Sequence, residues 1–257
     1  MKQGSDMTIN LNISPIANQE DDLVPDRERR NSVFGLAVHT TGGGILDKAK
    51  KDGVKVDNPD LIRYIIKYYA QAGYSCHYII HYDGKIYQVT HDDRRVSHIG
   101  VDAAERVKYL SGEWITKVPK TPLLLWQKTW LGKWSPQVLF PNHFPNDDYV
   151  GAEMPILATP RANGLRYTDD QHHSVARLAI DLWRRHGWPR ETLVQASKDS
   201  RALPCGRLLG HEDLDAFGRW QATGGWDPGA LRPRPWFSWP LVRFFLQLEL
   251  ANQTLAT

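Results

Sequence analysis

Three residues of metal-binding type stand at strand ends or turns, far apart in this 257-residue chain. His39 closes the apolar run VFGLAVH, and His211 follows an apolar pair and a glycine in LLGHEDLD. Asp227 lies in GGWDPG, where Pro228 and Gly229 favour a turn that would aim the carboxylate inward. Two imidazoles and one carboxylate can hold zinc with a fourth position open to water. The chemistry that such a site supports is amide hydrolysis, because zinc polarises a carbonyl group.

Spacing alone leaves a plainer alternative open. The chain has ten histidines, but no local pair with the spacing H-E-x-x-H. His172 and His173 are adjacent, so a helix would point them in different directions. Asp-Pro-Gly can be only a turn, and His211 only a loop histidine with its own hydrogen bonds. The metal hypothesis therefore depends on which histidines end strands or begin loops.

Composition limits the class of protein. A hydrophobic fraction of 41% is enough for a core, and a net charge of +3 suits an anionic polymer but is too small to indicate nucleic acid. No apolar run reaches the roughly 18 residues of a membrane span, and the opening MKQGSDMTINLN lacks the apolar segment of a secretory signal. We therefore expect a protein made in the cytoplasm without a membrane span. Its two cysteines, Cys76 and Cys205, favour reduced thiols over a single disulfide.

The strands that would position the candidate ligands are short and apolar. VFGLAVH and VGAEMPIL predict buried strands, and the first is expected to run into a loop at TTGGG. CHYIIHYDGKIYQVT predicts a hairpin that turns at Asp83-Gly84.

Helical signals lie between these strands. Apolar spacing predicts a helix over residues 60–72, which begins after Asn58-Pro59 and stops at Gly73. Thr168 and Gln171 form a capping-box pattern that opens a helix to about residue 186. The sequence therefore predicts an α/β fold, with a central mixed β-sheet flanked by helices.

The domain organisation is predicted to be simple. Residues 1–31 are polar and are expected to form an N-terminal arm, with a partly disordered tail as the alternative. Residues 32–257 are expected to form one domain. Within it we expect one long insertion at about 103–148 and a C-terminal helix at about 239–250.

Six motifs then occur in a fixed order: LAVHTTGG, SCHYIIHYDGKIYQ, SHIG, VGAEM, GHED and WDPG. In series, over roughly residues 33–102 and 149–230, they resemble the zinc-dependent N-acetylmuramoyl-L-alanine amidases. This is the type-2 amidase family, whose fold is shared by peptidoglycan recognition proteins and amidase-type phage lysozymes. The resemblance implies an enzyme that cuts peptidoglycan between the muramic acid lactyl group and L-alanine.

The resemblance also implies roles for single residues. His39, His211 and Asp227 match the family's zinc ligands. Glu153 matches the acidic residue that accepts the proton of the attacking water and passes it to the departing amine. His77 matches a histidine of the site wall and His98 one that lines the substrate groove, although a structural role for His77 is an equal alternative.

The sequence departs from the family pattern in three places. Gly225 stands where relatives often carry a lysine, so we expect Arg219 to stabilise the oxyanion instead, and Trp226 to bind substrate. Cys76 stands where some relatives carry a tyrosine near the zinc. The insertion contains several tryptophans that could form a sugar groove or pack in a local core: Trp114, Trp126, Trp130 and Trp134.

The expected function is therefore zinc-dependent hydrolysis of peptidoglycan by a lytic enzyme or antibacterial effector. Such an effector would act in the periplasm after delivery by a specialised secretion system or lysis, and its producer would encode an immunity protein. The alternatives are a peptidoglycan-binding module without activity and an intracellular amidase that recycles wall fragments.

Overall fold

The secondary structure follows the α/β pattern. A computed structural model describes residues 13–15, 26–28, 32–56, 59–99, 145–157, 161–191, 194, 207–211, 227–228 and 236–254. Its strands are β1 (Ile13–Pro15), β2 (Asp26–Glu28), β3 (Gly35–Thr41), β4 (Tyr78–Ile80), β5 (Ile86–Gln88), β6 (Arg94–Val96), β7 (Tyr149–Pro155) and β8 (Leu208–Gly210). Its helices are α1 (Gly43–Lys51), α2 (Asp60–Ala72), α3 (Pro145–Asp148), α4 (Asp169–Arg185) and α5 (Trp239–Thr254).

The central sheet is mixed, and the predicted fold class is confirmed. Its strand order is β1-β5-β4-β7-β3-β8, while β2 and β6 form a separate antiparallel pair. β4 and β5 form the predicted antiparallel hairpin, and β3 pairs in parallel with both β7 and β8. Every residue of β3 and β7 is buried. This burial on both faces explains why these strands read as continuous apolar runs.

The predicted loop after β3 is wrong. Thr40 and Thr41 continue the strand, opposite Met154 and Pro155 of β7, and helix α1 begins already at Gly43. Glycine lowers helix propensity by about 1 kcal/mol per residue, so the local pattern indicated a loop. Burial of one apolar face of α1, at Ile45, Leu46 and Ala49, outweighs that cost.

The helices predicted over residues 60–72 and from Thr168 are confirmed. α2 buries Leu61, Ile62, Ile65 and Ile66, and it ends at Gly73 in the left-handed conformation. Such a helix end favours glycine because glycine has no Cβ.

Helix α4 begins with the predicted capping box. Thr168 and Gln171 exchange side-chain and backbone hydrogen bonds, and the Gln171 amide also donates to the carbonyls of Ile80 and Pro155. The start of α4 is thereby attached to the ends of β4 and β7. α5 packs on α4 and ends four residues beyond the predicted boundary. Among the described helices, none has the length and apolar character to cross a membrane.

The regions predicted as arm and insertion are described only in part. Ile13–Pro15 pairs with β5 at the edge of the central sheet, and Asp26–Glu28 pairs with β6, where Asp26 receives two hydrogen bonds from Arg94. Residues 145–148 of the predicted insertion form α3. The four tryptophans of the insertion lie outside the described residues, so their role stays a prediction.

His172 joins the start of α4 to the start of α5. Its Nδ1 donates to the Thr168 carbonyl at 2.7 Å, and its Nε2 accepts from the Ser238 amide at 3.0 Å. Burial lowers the pKa of His172 to about 4, although the bond to the Thr168 carbonyl opposes that shift. The folded protein therefore holds this imidazole neutral.

This burial predicts a pH dependence of stability. Between pH 6.5 and about 4 the unfolded chain binds a proton at His172 that the folded chain does not, so stability falls as the pH falls through this range. The free energy of unfolding should fall by roughly 3 kcal/mol over this range. We expect the free energy of unfolding of His172→Gln, measured with urea at pH 7, 5 and 4, to lack this fall between pH 7 and pH 4. His91→Gln, at an exposed histidine, is the control. An unchanged dependence in His172→Gln would contradict the assignment.

Candidate functional site

The register of three parallel strands places His39 between two other site residues. β3 pairs with β7 so that His39 lies opposite Glu153. On its other side β3 pairs with β8 so that Val38 lies opposite Gly210. His211 is the next residue after Gly210, so it comes to lie beside His39.

Three buried ligand atoms converge at this position. The Nδ1 atoms of His39 and His211 are 3.0 Å apart, and Oδ2 of Asp227 is 3.3 Å from Nδ1 of His211. Each of the three residues offers one ligand atom within 4.8 Å of the other two. The structure thus brings together the three residues that the sequence predicted as metal ligands, and they could hold a metal ion.

The spacing of these atoms fits a small divalent cation. Ligands at about 2.0–2.1 Å from a tetrahedral zinc ion lie roughly 3.3 Å from one another. The observed separations of 3.0 and 3.3 Å are close to that value. Two imidazoles and one carboxylate are also a donor set typical of catalytic zinc sites.

Asp227 is held by the main chain of β3. Its Oδ1 accepts the backbone N–H of Thr40 at 2.9 Å, which leaves Oδ2 on the side of His211. The Thr40 hydroxyl is hydrogen-bonded to the buried Tyr167 hydroxyl. The strand that carries one candidate ligand therefore orients a second one.

Glu153 lies at the edge of the candidate metal site. Its Oε1 is 3.9 Å from Nδ1 of His39, and its Oε2 accepts from the Thr41 hydroxyl at 3.2 Å. The Glu153 side chain is buried, with only 9% of its surface exposed. This position suits a carboxylate that exchanges protons with a water molecule beside the metal ligands.

Tyr69 is a site residue that the sequence did not indicate. Helical spacing places Tyr69 one turn after Ile65 and Ile66 on the apolar face of α2, but its hydroxyl hydrogen-bonds with Glu153. Burial, and then the charge of Glu153, raise the pKa of Tyr69 well above its usual value, so the phenol is protonated. In the sequence, this role could have been suspected because Tyr69 places a hydroxyl group on an otherwise apolar face of α2.

His77 and His98 are both buried. The Nδ1 of His77 accepts the Gly151 N–H, and its Nε2 donates to the Arg94 carbonyl, both at 2.9 Å. These two hydrogen bonds attach the His77 ring to β7 and β6, which fits the structural alternative for His77. His98 lies behind His39, with its ring edge-to-face against the His39 ring. Substrate binding by either histidine stays a prediction, while the geometry gives both a supporting position.

The remaining predicted site residues cannot be placed. Arg219, Gly225 and Trp226 lie outside the described residues. Cys76 is described, and it is a free and buried thiol. Burial, and then the charge of Glu153, raise its pKa well above the usual value, so it is a neutral side chain next to the site.

A buried set of residues that could hold a metal ion, with a carboxylate alongside, is an arrangement that metal-dependent hydrolases use, and here it lies on a mixed β-sheet. A family model described as N-acetylmuramoyl-L-alanine amidase matches residues 29–230. The chain belongs to this amidase family, and it is an enzyme that acts on peptidoglycan.

Solved structures show a weaker likeness. A selenomethionine derivative of AmpD is 16% identical with a TM-score of 0.45, covering 95% of this chain and 99% of that one. Staphylococcus aureus hydrolase AmiA, in complex with its ligand, is 13% identical with a TM-score of 0.46, over 94% and 83%. The endolysin of Thermus scotoductus bacteriophage Ph2119 is 13% identical with a TM-score of 0.41, over 87% and 90%. No curated protein matches this chain by sequence. The assignment therefore rests on the family model.

The contact between Tyr69 and Glu153 predicts an effect on turnover. Tyr69→Phe removes a hydrogen bond to a charged group, which contributes about 1.5–3 kcal/mol, so we expect peptidoglycan hydrolysis to fall roughly 10- to 100-fold. Tyr68→Phe is the matched control, because Tyr68 lies on the same helix as Tyr69 and the substitution keeps the ring that lies against Lys48 of α1. Equal rates for the two variants would show that the Tyr69 hydroxyl does not support Glu153.

Proposed function

We propose that this amidase is zinc-dependent and cuts the amide bond between the lactyl group of N-acetylmuramic acid and L-alanine. His39, His211 and Asp227 would hold the zinc. The observation that supports this proposal is the convergence of their three buried ligand atoms, two of them 3.0 Å apart. When bound, zinc would polarise the scissile carbonyl and lower the pKa of the attacking water.

Glu153 is the proposed general base and acid. Its carboxylate takes a proton from the water as the water oxygen forms a bond to the lactyl carbonyl carbon. It then returns that proton to the nitrogen of L-alanine as the C–N bond breaks, and the remaining proton of the water passes from the new carboxyl group to the amine, so a carboxylate and an ammonium group leave the site. The hydrogen bonds from Thr41 and Tyr69 keep the carboxylate beside His39 during both transfers. Arg219 remains the proposed oxyanion partner, and Trp226 a proposed substrate contact.

Two substitutions separate metal binding from proton transfer. We expect His39→Ala to lose stoichiometric zinc and all release of L-alanine amino groups from purified sacculi. Glu153→Gln keeps the ligands but lacks the base, so it should retain zinc and lose 10²- to 10⁴-fold in rate.

The products should be identified by mass analysis of the digested peptidoglycan. Wild-type protein that binds sacculi without zinc and without new amino groups would instead be a peptidoglycan-binding module. If His39→Ala still released L-alanine amino groups from sacculi, the proposed set of zinc ligands would be wrong.

We further propose that the enzyme acts in the periplasm as an antibacterial effector or lytic enzyme. Its substrate lies outside the cytoplasm, and a compact enzyme that recycles wall fragments would not need the long segment at 103–148. An effector of this kind would be matched by an immunity protein that covers the metal site.

Expression in a bacterial host tests this location. We expect growth arrest and lysis when an export signal is added to the chain, and normal growth when it is expressed without one. Glu153→Gln with the same export signal controls for damage caused by export itself. If the exported wild-type protein is as harmless as this variant, periplasmic action is excluded.

A further inference from the structure

A chain of ring nitrogens leads away from the candidate metal site. His39 carries its Nδ1 towards His211 and its Nε2 towards Nδ1 of His98, at 2.9 Å. The other ring nitrogen of His98, Nε2, lies 3.1 Å from the main-chain carbonyl oxygen of Tyr149. The four residues that these contacts connect are all buried: His211, His39, His98 and Tyr149.

The carbonyl at the end of this chain determines where the protons lie. A carbonyl oxygen can only accept, so Nε2 of His98 must be the N–H. A neutral imidazole has one N–H, so Nδ1 of His98 carries a lone pair and accepts from Nε2 of His39. Neutral His39 then has its own lone pair on Nδ1, which is the atom that faces His211.

We propose that His98 is a positioning residue that fixes the tautomer and orientation of His39, so that the Nδ1 lone pair of His39 points at the metal position. This inference rests on the metal site of the proposed function. A ligand histidine commonly donates its other N–H to an acceptor in this way, which raises its basicity. Here that acceptor is a second imidazole, itself fixed by the backbone of β7.

The surroundings of His98 hold its ring in one place. The Asn146 side chain of α3 accepts the backbone N–H groups of His98 and Ile99, at 3.2 and 2.9 Å, and donates to the Ile99 carbonyl at 2.9 Å. The ring lies over Gly151 of β7, where a Cβ atom would come within 2.4 Å of Nδ1. Only glycine leaves room for the imidazole at that point. The position of His98 is therefore determined by the backbone and by Asn146.

Two substitutions of His98 test the proposal through metal affinity. His98→Phe keeps a ring but removes the acceptor, so zinc should bind 10- to 100-fold more weakly in competition with a chromophoric chelator. His98→Asn places an amide oxygen near the position of Nδ1 and should restore the affinity to within about threefold of wild type. The visible spectrum of the cobalt-substituted protein should change in the Phe variant and recover in the Asn variant. Wild-type affinity and spectrum in His98→Phe would overturn the proposal.

A measurement on the unaltered protein covers the case in which a variant does not fold. Long-range ¹H–¹⁵N spectra of the metal-free protein should show His39 and His98 as Nε2–H tautomers. A proton on Nδ1 of His39 would overturn the inference. Failure of the proposed function looks different, because the wild-type protein itself would then bind no zinc and release no L-alanine.

Discussion

Parallel pairing of β3 with β7 on one side and β8 on the other is the constraint that assembles the site. It sets Glu153 directly across from His39, and it brings His211 beside His39 from the opposite side. A slip of one residue in either pairing would turn the partner side chain to the other face of the sheet. The continuous apolar character of β3 and β7 therefore has a chemical consequence, because burial on both faces fixes the register that aligns these groups.

The last three residues of β3 show how one strand end can supply several functions. Alternation along a strand sends the side chains of His39 and Thr41 to the same face, where both approach Glu153. Thr40 points the other way, to Tyr167, while its backbone N–H holds Asp227. A candidate ligand, an orienting amide and a hydroxyl donor thus come from consecutive residues. Their relative positions depend on strand geometry alone, so a loop could not hold them as firmly.

Local signals in the sequence predicted those parts of the fold that depend on neighbouring residues. The capping box at Thr168, the stop at Gly73 and the turn at Asp83-Gly84 each depend on a few adjacent side chains, and each is present. The helix that begins at Gly43 was missed because distant packing decides it. Motif resemblance identified the candidate ligands. It did not predict that His98 lies behind His39, or that the Tyr69 hydroxyl reaches Glu153, because both contacts depend on the packing of distant segments.

The groups next to the candidate ligands differ in what their protonation allows them to do. Cys76 is buried near Glu153, and both conditions disfavour its thiolate, the form that binds metals. A neutral thiol at this point contributes packing and leaves the two imidazoles and the carboxylate as the candidate ligands. Tyr69 is subject to the same two influences and keeps its proton, but a phenol in that state is a good hydrogen-bond donor. The same burial that makes the cysteine inert therefore makes the tyrosine a stable donor to Glu153.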